Sequence, residues 1–187
     1  MEKVLKDGLL IKLLETADED LAEEAAAEGC DHCGEKKLHH GDYKRKPRGG
    51  PAWDKRRSFC CAEDDCRKRK TPPSVRFLGR KVYVGVVVVL VGAMMHGLKR
   101  NRVERLRAAL GISERTLQRW RAWWLENFVD SAFWKNARAR FLPRLEETLL
   151  PLSLVVAFTA QRREGLVRLL TFIAPITVPA RKRAAAM

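Results

Sequence analysis

The sequence predicts a mainly α-helical protein with a small zinc-ribbon β-subdomain towards its front, a helix-turn-helix behind that, and further helices towards the C-terminus. Three observations lead there. All five cysteines fall between residues 29 and 73, a stretch with repeated glycines and few large aliphatics. Elsewhere apolar residues recur at helical spacing. Residues 102–124 then set two such stripes on either side of Gly111-Ile112-Ser113.

Residues 1–28 read as an acidic amphipathic helical arm. Leu5, Leu9 and Leu13 fall at i, i+4 and i+8, Leu10 and Leu14 lie beside them, and Gly8 or Thr16 are places for a break. Nine acids against three lysines give this arm a balance of −6; the chain's net charge is +14, so the other 159 residues carry +20. A body that basic collects on a polyanion, and nucleic acid is the first candidate. With 46% hydrophobic residues, the 187-residue chain can bury a core.

Two classes are set aside. The opening stretch is acidic and lacks the small-residue cleavage site of a secretory signal, so a cytoplasmic, nucleoid-associated protein is expected. The longest apolar run, Val82–Met95, has 14 residues, short of the ~20 that span a bilayer. No membrane partner is expected. That run reads as a buried helix, with a strand as the alternative because of its valines.

Residues 29–73 cannot form an oily core of their own and need a covalent or metal staple. Cys30-x2-Cys33 and Cys61-x4-Cys66 offer four thiolates, the donor set that suits a structural zinc ion. Gly34, directly after Cys33, lets the backbone curl around the sulfurs. Cys61 is preferred to Cys60 because it places Phe59 two positions before the ligand. The second knuckle is two residues wider than usual, and His32, His39 and His40 stand near as alternative ligands. Four sulfurs leave no open position for a catalytic water. Basic runs surround the knuckles: Lys44-Arg45-Lys46, Lys55-Arg56-Arg57 and Arg67-Lys68-Arg69-Lys70. Together they read as a phosphate-contacting surface.

Residues 74–128 carry the helix-turn-helix. Val103, Leu106 and Leu110 form the inner stripe of its first helix, Gly111 supplies the turn, and Ile112 plugs it. Ser113 caps the next helix, and Leu117, Trp120 and Trp124 continue the stripe at i, i+3 and i+7. Glu114, Arg115, Gln118, Arg119 and Arg121 then face away. Arg and Gln near a helix N-terminus suit base edges in the major groove, with paired hydrogen bonds to guanine and adenine. Trp120, Trp123, Trp124 and Trp134 read as core, and Trp53 as the tryptophan placed to touch nucleic acid. Residues 129–187 read as C-terminal helices and a basic tail: helices over Ser131–Phe141, Leu149–Ala160 and Glu164–Ile173, with Glu146-Glu147 on a solvated helix face.

The stretch from Cys30 to Trp124 resembles the zinc-ribbon plus helix-turn-helix front of bacterial insertion-sequence transposases and their small transposon-associated relatives. The resemblance rests on CDHCG, LHHGDYKRKPRGG, RRSFCC…C, TPPSVRFLGRKVY and LGISERTLQRWRAWW. It implies recognition of element ends, with DNA cut by a separate carboxylate-triad domain. About 60 residues follow the recognition helix here, too few for the sheet that presents such a triad, so no enzyme activity is expected. The expectation is a zinc-dependent, sequence-specific duplex-DNA-binding protein of mobile-element origin, as a homodimer or beside a catalytic transposase partner. A transposase fragment or accessory subunit, a zinc-ribbon protein-protein adaptor, and an RNA-binding ribbon are the alternatives.

Overall fold

The computed structural model describes residues 7–45, 54–77, 85–94, 104, 108, 111–160 and 162–178. Within them the chain is mainly helical, with a small antiparallel sheet. Asp7 opens the first helix, α1 (Gly8–Glu28), by accepting the Leu10 N–H at 3.2 Å, an N-cap that satisfies one of the orphan amides. α1 runs unbroken through Thr16. It stops at Gly29, whose φ of +81° and approach to the Glu35 carbonyl leave no room for a Cβ.

The strands follow: β1 (Leu38–His40), β2 (Tyr43–Arg45), β3 (Asp54–Arg56), β4 (Phe59–Cys61) and β5 (Arg69–Lys70). β4 sits between β1 and β5, while β2 pairs with β3. Leu38 faces Cys61, and Tyr43 faces Arg56, so the two ladders keep one register along a single antiparallel arm. The interruption is at Gly41-Asp42. There the Gly41 N–H donates to the Ser58 carbonyl at 2.9 Å, and Asp42 takes over as acceptor for the Ser58 N–H at 3.1 Å. Despite its burial, Asp42 is held below the usual carboxylate range by that amide and by Arg57.

The helical body is built around α2 (Gly85–Met94), which is apolar on every side. Val87, Val88, Val89 and Val91 are all buried. β-branched residues are poor helix formers in isolation, but complete burial by neighbouring helices outweighs a few tenths of a kcal/mol per residue. α3 (Glu114–Ala122), α5 (Leu152–Ala157) and α6 (Arg163–Ile173) pack on α2, and α1 lies on α6. Leu10 and Leu14 carry α1 into this core. α3 does not continue as a regular helix to Phe128; residues Trp123–Phe128 form a π-helical turn. The helix expected over Ser131–Phe141 is shorter, α4 (Ala132–Ala137) plus one 3₁₀ turn, and that expected over Leu149–Ala160 is only α5. The rings of Trp124, Phe128 and Trp134 pack tilted against one another at centroid distances of 4.9 and 5.1 Å.

Gly92 on α2 faces Trp124. A Cβ there would meet Trp124 Nε1 at 2.9 Å and Pro151 Cγ at 3.0 Å. Trp124 is fully buried among other rings and cannot swing away. Overpacking costs about 1–3 kcal/mol, and replacing a helical glycine by alanine returns up to about 1 kcal/mol. Gly92→Ala is therefore expected to lose about 1–2 kcal/mol in urea unfolding. Gly8→Ala, with open space around its Cα, is the control and loses nothing.

Candidate metal centre and nucleic-acid interface

The two cysteine pairs meet at one end of the β-arm, where the start of β1 lies beside the end of β4. The first knuckle leads into β1: the Cys30 N–H donates to the Glu35 carbonyl at 2.7 Å and the Gly34 N–H to the Cys30 carbonyl at 3.0 Å. β4 delivers the third cysteine, and its alternation puts Phe59 and Cys61 inside and Cys60 on the other face. A tight turn then returns Cys66, with the Cys66 and Arg67 amides both donating to the Glu63 carbonyl. The wider spacing is absorbed by this turn. Each knuckle ends in left-handed backbone directly after its second cysteine, at Gly34 (φ +80°) and at Arg67 (φ +44°).

The four sulfurs of Cys30, Cys33, Cys61 and Cys66 lie within 4.8 Å of one another. Cys30 and Cys66 are 3.7 Å apart, Cys33 and Cys61 3.5 Å. In a tetrahedron with metal–sulfur bonds of about 2.3 Å the sulfurs are about 3.8 Å apart, so this cluster has the size of a tetrathiolate metal site and could hold an ion. Its electrostatics are uneven. The amides of Cys33 and His32 hold the Cys30 thiol down to about 7, whereas burial pushes the Cys61 thiol up to about 12. Without an added charge Cys61 stays a thiol at neutral pH; a cation at the centre is what makes four thiolates compatible. Cys60 takes no part, its Sγ lying 3.4 Å from the Arg67 carbonyl. His32, His39 and His40 are exposed and outside the cluster.

The basic runs divide. Lys44, Lys55, Arg67, Lys68 and Arg69 are exposed. Arg67 pairs with Asp64, and Arg69 donates to the Gly41 carbonyl at 3.2 Å. Three other cations expected on a phosphate-contacting surface are committed elsewhere. Arg56 is buried, donating to the Pro72 carbonyl at 2.6 Å with its guanidinium 5.8 Å from the Phe77 ring centroid. Arg57 bridges Asp42 and Glu19 at 2.8 and 3.0 Å. The Lys70 Nζ is buried and lies 2.9 Å from Glu28, from Asp31 and from the Gly29 carbonyl. That position, at the C-terminal end of α1, is the one a helix dipole favours for a cation. The side chains of Arg45, Lys46 and Trp53 lie outside the described residues, as do Val103, Leu106 and Leu110.

α3 presents two chemically distinct faces. Gly111 precedes it at φ +60°, Ile112 is buried, and Ser113 Oγ accepts the Thr116 N–H at 3.3 Å. Thr116, Leu117 and Trp120 are buried, followed by Trp124. Glu114, Arg115, Gln118, Arg119 and Arg121 are exposed on the opposite face. Arg119 leans back along the helix, donating to Thr116 Oγ1 at 3.2 Å.

Two residues had roles their sequence context concealed. Glu147, expected on a solvated helix, accepts the Trp134 indole N–H at 2.7 Å from a 3₁₀ turn and meets Arg138 at 3.3 Å. Asp18, inside the acidic arm, is buried and accepts from Ser74 Oγ, the Val75 N–H and Arg76 Nε at 2.7–2.8 Å. It joins α1 to the segment leaving the sheet.

No family model, curated protein or solved structure matches this chain. No helix among the described residues is long and apolar enough to cross a membrane.

Proposed function

We propose that the protein binds double-stranded DNA in a sequence-specific way, with a structural zinc ion held by Cys30, Cys33, Cys61 and Cys66. In this reading residues 29–73 are a zinc ribbon, and α3 is the recognition helix of a helix-turn-helix. The observation that carries it is the two-faced surface of α3. Its inner stripe is anchored by Leu117, Trp120 and Trp124, while Arg115, Gln118, Arg119 and Arg121 are presented outward from a capped helix start. Side chains fixed on a packed helix can meet base edges at repeatable positions. The exposed cations Lys44, Lys68 and Arg69 on the ribbon supply phosphate contacts, which set register but not sequence. The resemblance to insertion-sequence transposases supports a mobile-element origin, with strand cleavage left to a partner.

The test is selection of binding sites from random duplex DNA by the zinc-loaded protein, repeated with Arg115→Ala and Arg119→Ala. The parent is expected to recover a motif. Each variant is expected to relax one position by about 1–3 kcal/mol, roughly 5- to 150-fold in discrimination. Lys68→Ala, by contrast, weakens all sequences alike and flattens the salt dependence by about one unit of slope. Absence of a motif, or the same motif from both arginine variants, overturns the recognition-helix reading. An adaptor for protein partners would instead keep its binding as salt rises.

A further inference from the structure

Residues 140–157 form a face that neither the cysteine cluster nor α3 uses. The two most exposed large apolar side chains among the described residues, Leu142 at 92% and Val156 at 62%, both belong to it. Beside Leu142 opens a cleft of about 590 Å³, walled by Leu145, Leu149, Leu152 and Val156. Its rim has mixed charge, with Arg140 and Arg144 against Glu146. Neither arginine makes an ion pair with any described residue, and among these residues the Glu146 carboxylate accepts only the Thr148 hydroxyl, at 2.8 Å.

We propose that this face is a two-fold interface between two copies of the chain, with Leu142 of each copy seated in the cleft of the other. A projecting apolar side chain and an apolar cleft on one patch are self-complementary. A two-fold axis therefore closes the contact, whereas a knob and cleft on opposite sides of the molecule would generate fibres. Charge points the same way. Each chain carries a net +14, so copies repel over most of their surfaces. The rim of this cleft holds two arginines and one glutamate, and in the proposed dimer Arg144 of one copy would pair with Glu146 of the other. The inference goes beyond DNA recognition and is tested with no DNA present.

Sedimentation of the full zinc-loaded chain over a hundredfold range of concentration decides it, at about 0.3 M salt, where charges more than about 6 Å apart are screened. The parent is expected to dimerise. Leu142→Glu, at an exposed position that leaves fold and zinc content unchanged, is expected to raise the dimer Kd at least about 30-fold, as loss of a central apolar anchor does. Arg144→Glu weakens the dimer, and the double variant Arg144→Glu/Glu146→Arg restores it. A parent that stays monomeric overturns the proposal and leaves the face to a different partner. Leu142→Glu dimerising like the parent overturns it too, and a double variant no tighter than the single one overturns the two-fold pairing.

Discussion

Cys61→Ser is expected to abolish metal binding and unfold β1, β4, β5 and both knuckles while leaving the helical body folded. Cys61 is fully buried, and its Sγ is one corner of the four-sulfur cluster. The segment around it buries few apolar side chains, chiefly Phe59, Cys30 and Cys61 itself. Structural zinc binding in small finger peptides contributes about 10–16 kcal/mol, far above what so small a core supplies. The main apolar cluster draws on α1, α2, α3 and the helices after them, and includes none of the five strands. Elemental analysis should fall from one zinc per chain towards none. Hydrogen exchange should speed up at the Gly41 and Cys61 amides and hold steady in α2 and α6. A strong chelator acting on the parent gives the same pattern. Cys60→Ser is the contrast: it keeps the metal, because that sulfur points away from the other four. Retention of a full zinc complement by Cys61→Ser would remove the basis for the metal centre.

Asp18→Ala is expected to lose about 3–5 kcal/mol, the usual result of leaving one member of a buried charged network without its partner. Removing the carboxylate leaves the Val75 amide and the Ser74 hydroxyl proton without their acceptor and breaks the buried pair with Arg76 Nε. Ser74 is also held from the other side, its N–H donating to Thr177 Oγ1 at 3.0 Å. The variant therefore loosens α1, the exit from the sheet and the end of the described chain together. Denaturant titration followed by tryptophan fluorescence measures the loss. Glu24→Ala, an exposed acid on the same helix, should stay within about 0.5 kcal/mol. Equal effects from the two substitutions would show that Asp18 is no hub.

Those two positions also mark what is legible in a single sequence. The cysteine spacing and the placing of Phe59 two residues before Cys61 are local, and the strand's alternation delivers both to one side. The cap at Ser113 and the stripe of Leu117, Trp120 and Trp124 are local too, set by the period of one helix. Asp18 is different. It lies among acids that do face water, and only contact with residues 56–58 positions further on makes it an internal acceptor. Arg56, Arg57 and Lys70 stand in basic runs for which solvent or phosphate is the ordinary reading, yet α1 and the Pro72 carbonyl claim them. The valines of α2 favour a strand by propensity and form a helix because the surrounding helices bury them. Arg67 had a local signal that is easy to overlook. It occupies the position after the second cysteine that Gly34 occupies in the first knuckle, and the same left-handed turn is required there.

The ion pairs that dock α1 against the sheet have a thermodynamic corollary. Arg57, Lys70 and Arg76 already hold carboxylates of the same chain, so on the proposed DNA partner they would neutralise no phosphate and displace none of its condensed counterions. The steepness with which affinity falls as salt is added therefore reports only the solvent-facing cations. Of the 37 lysines and arginines in the sequence, that measurement counts only those left facing solvent.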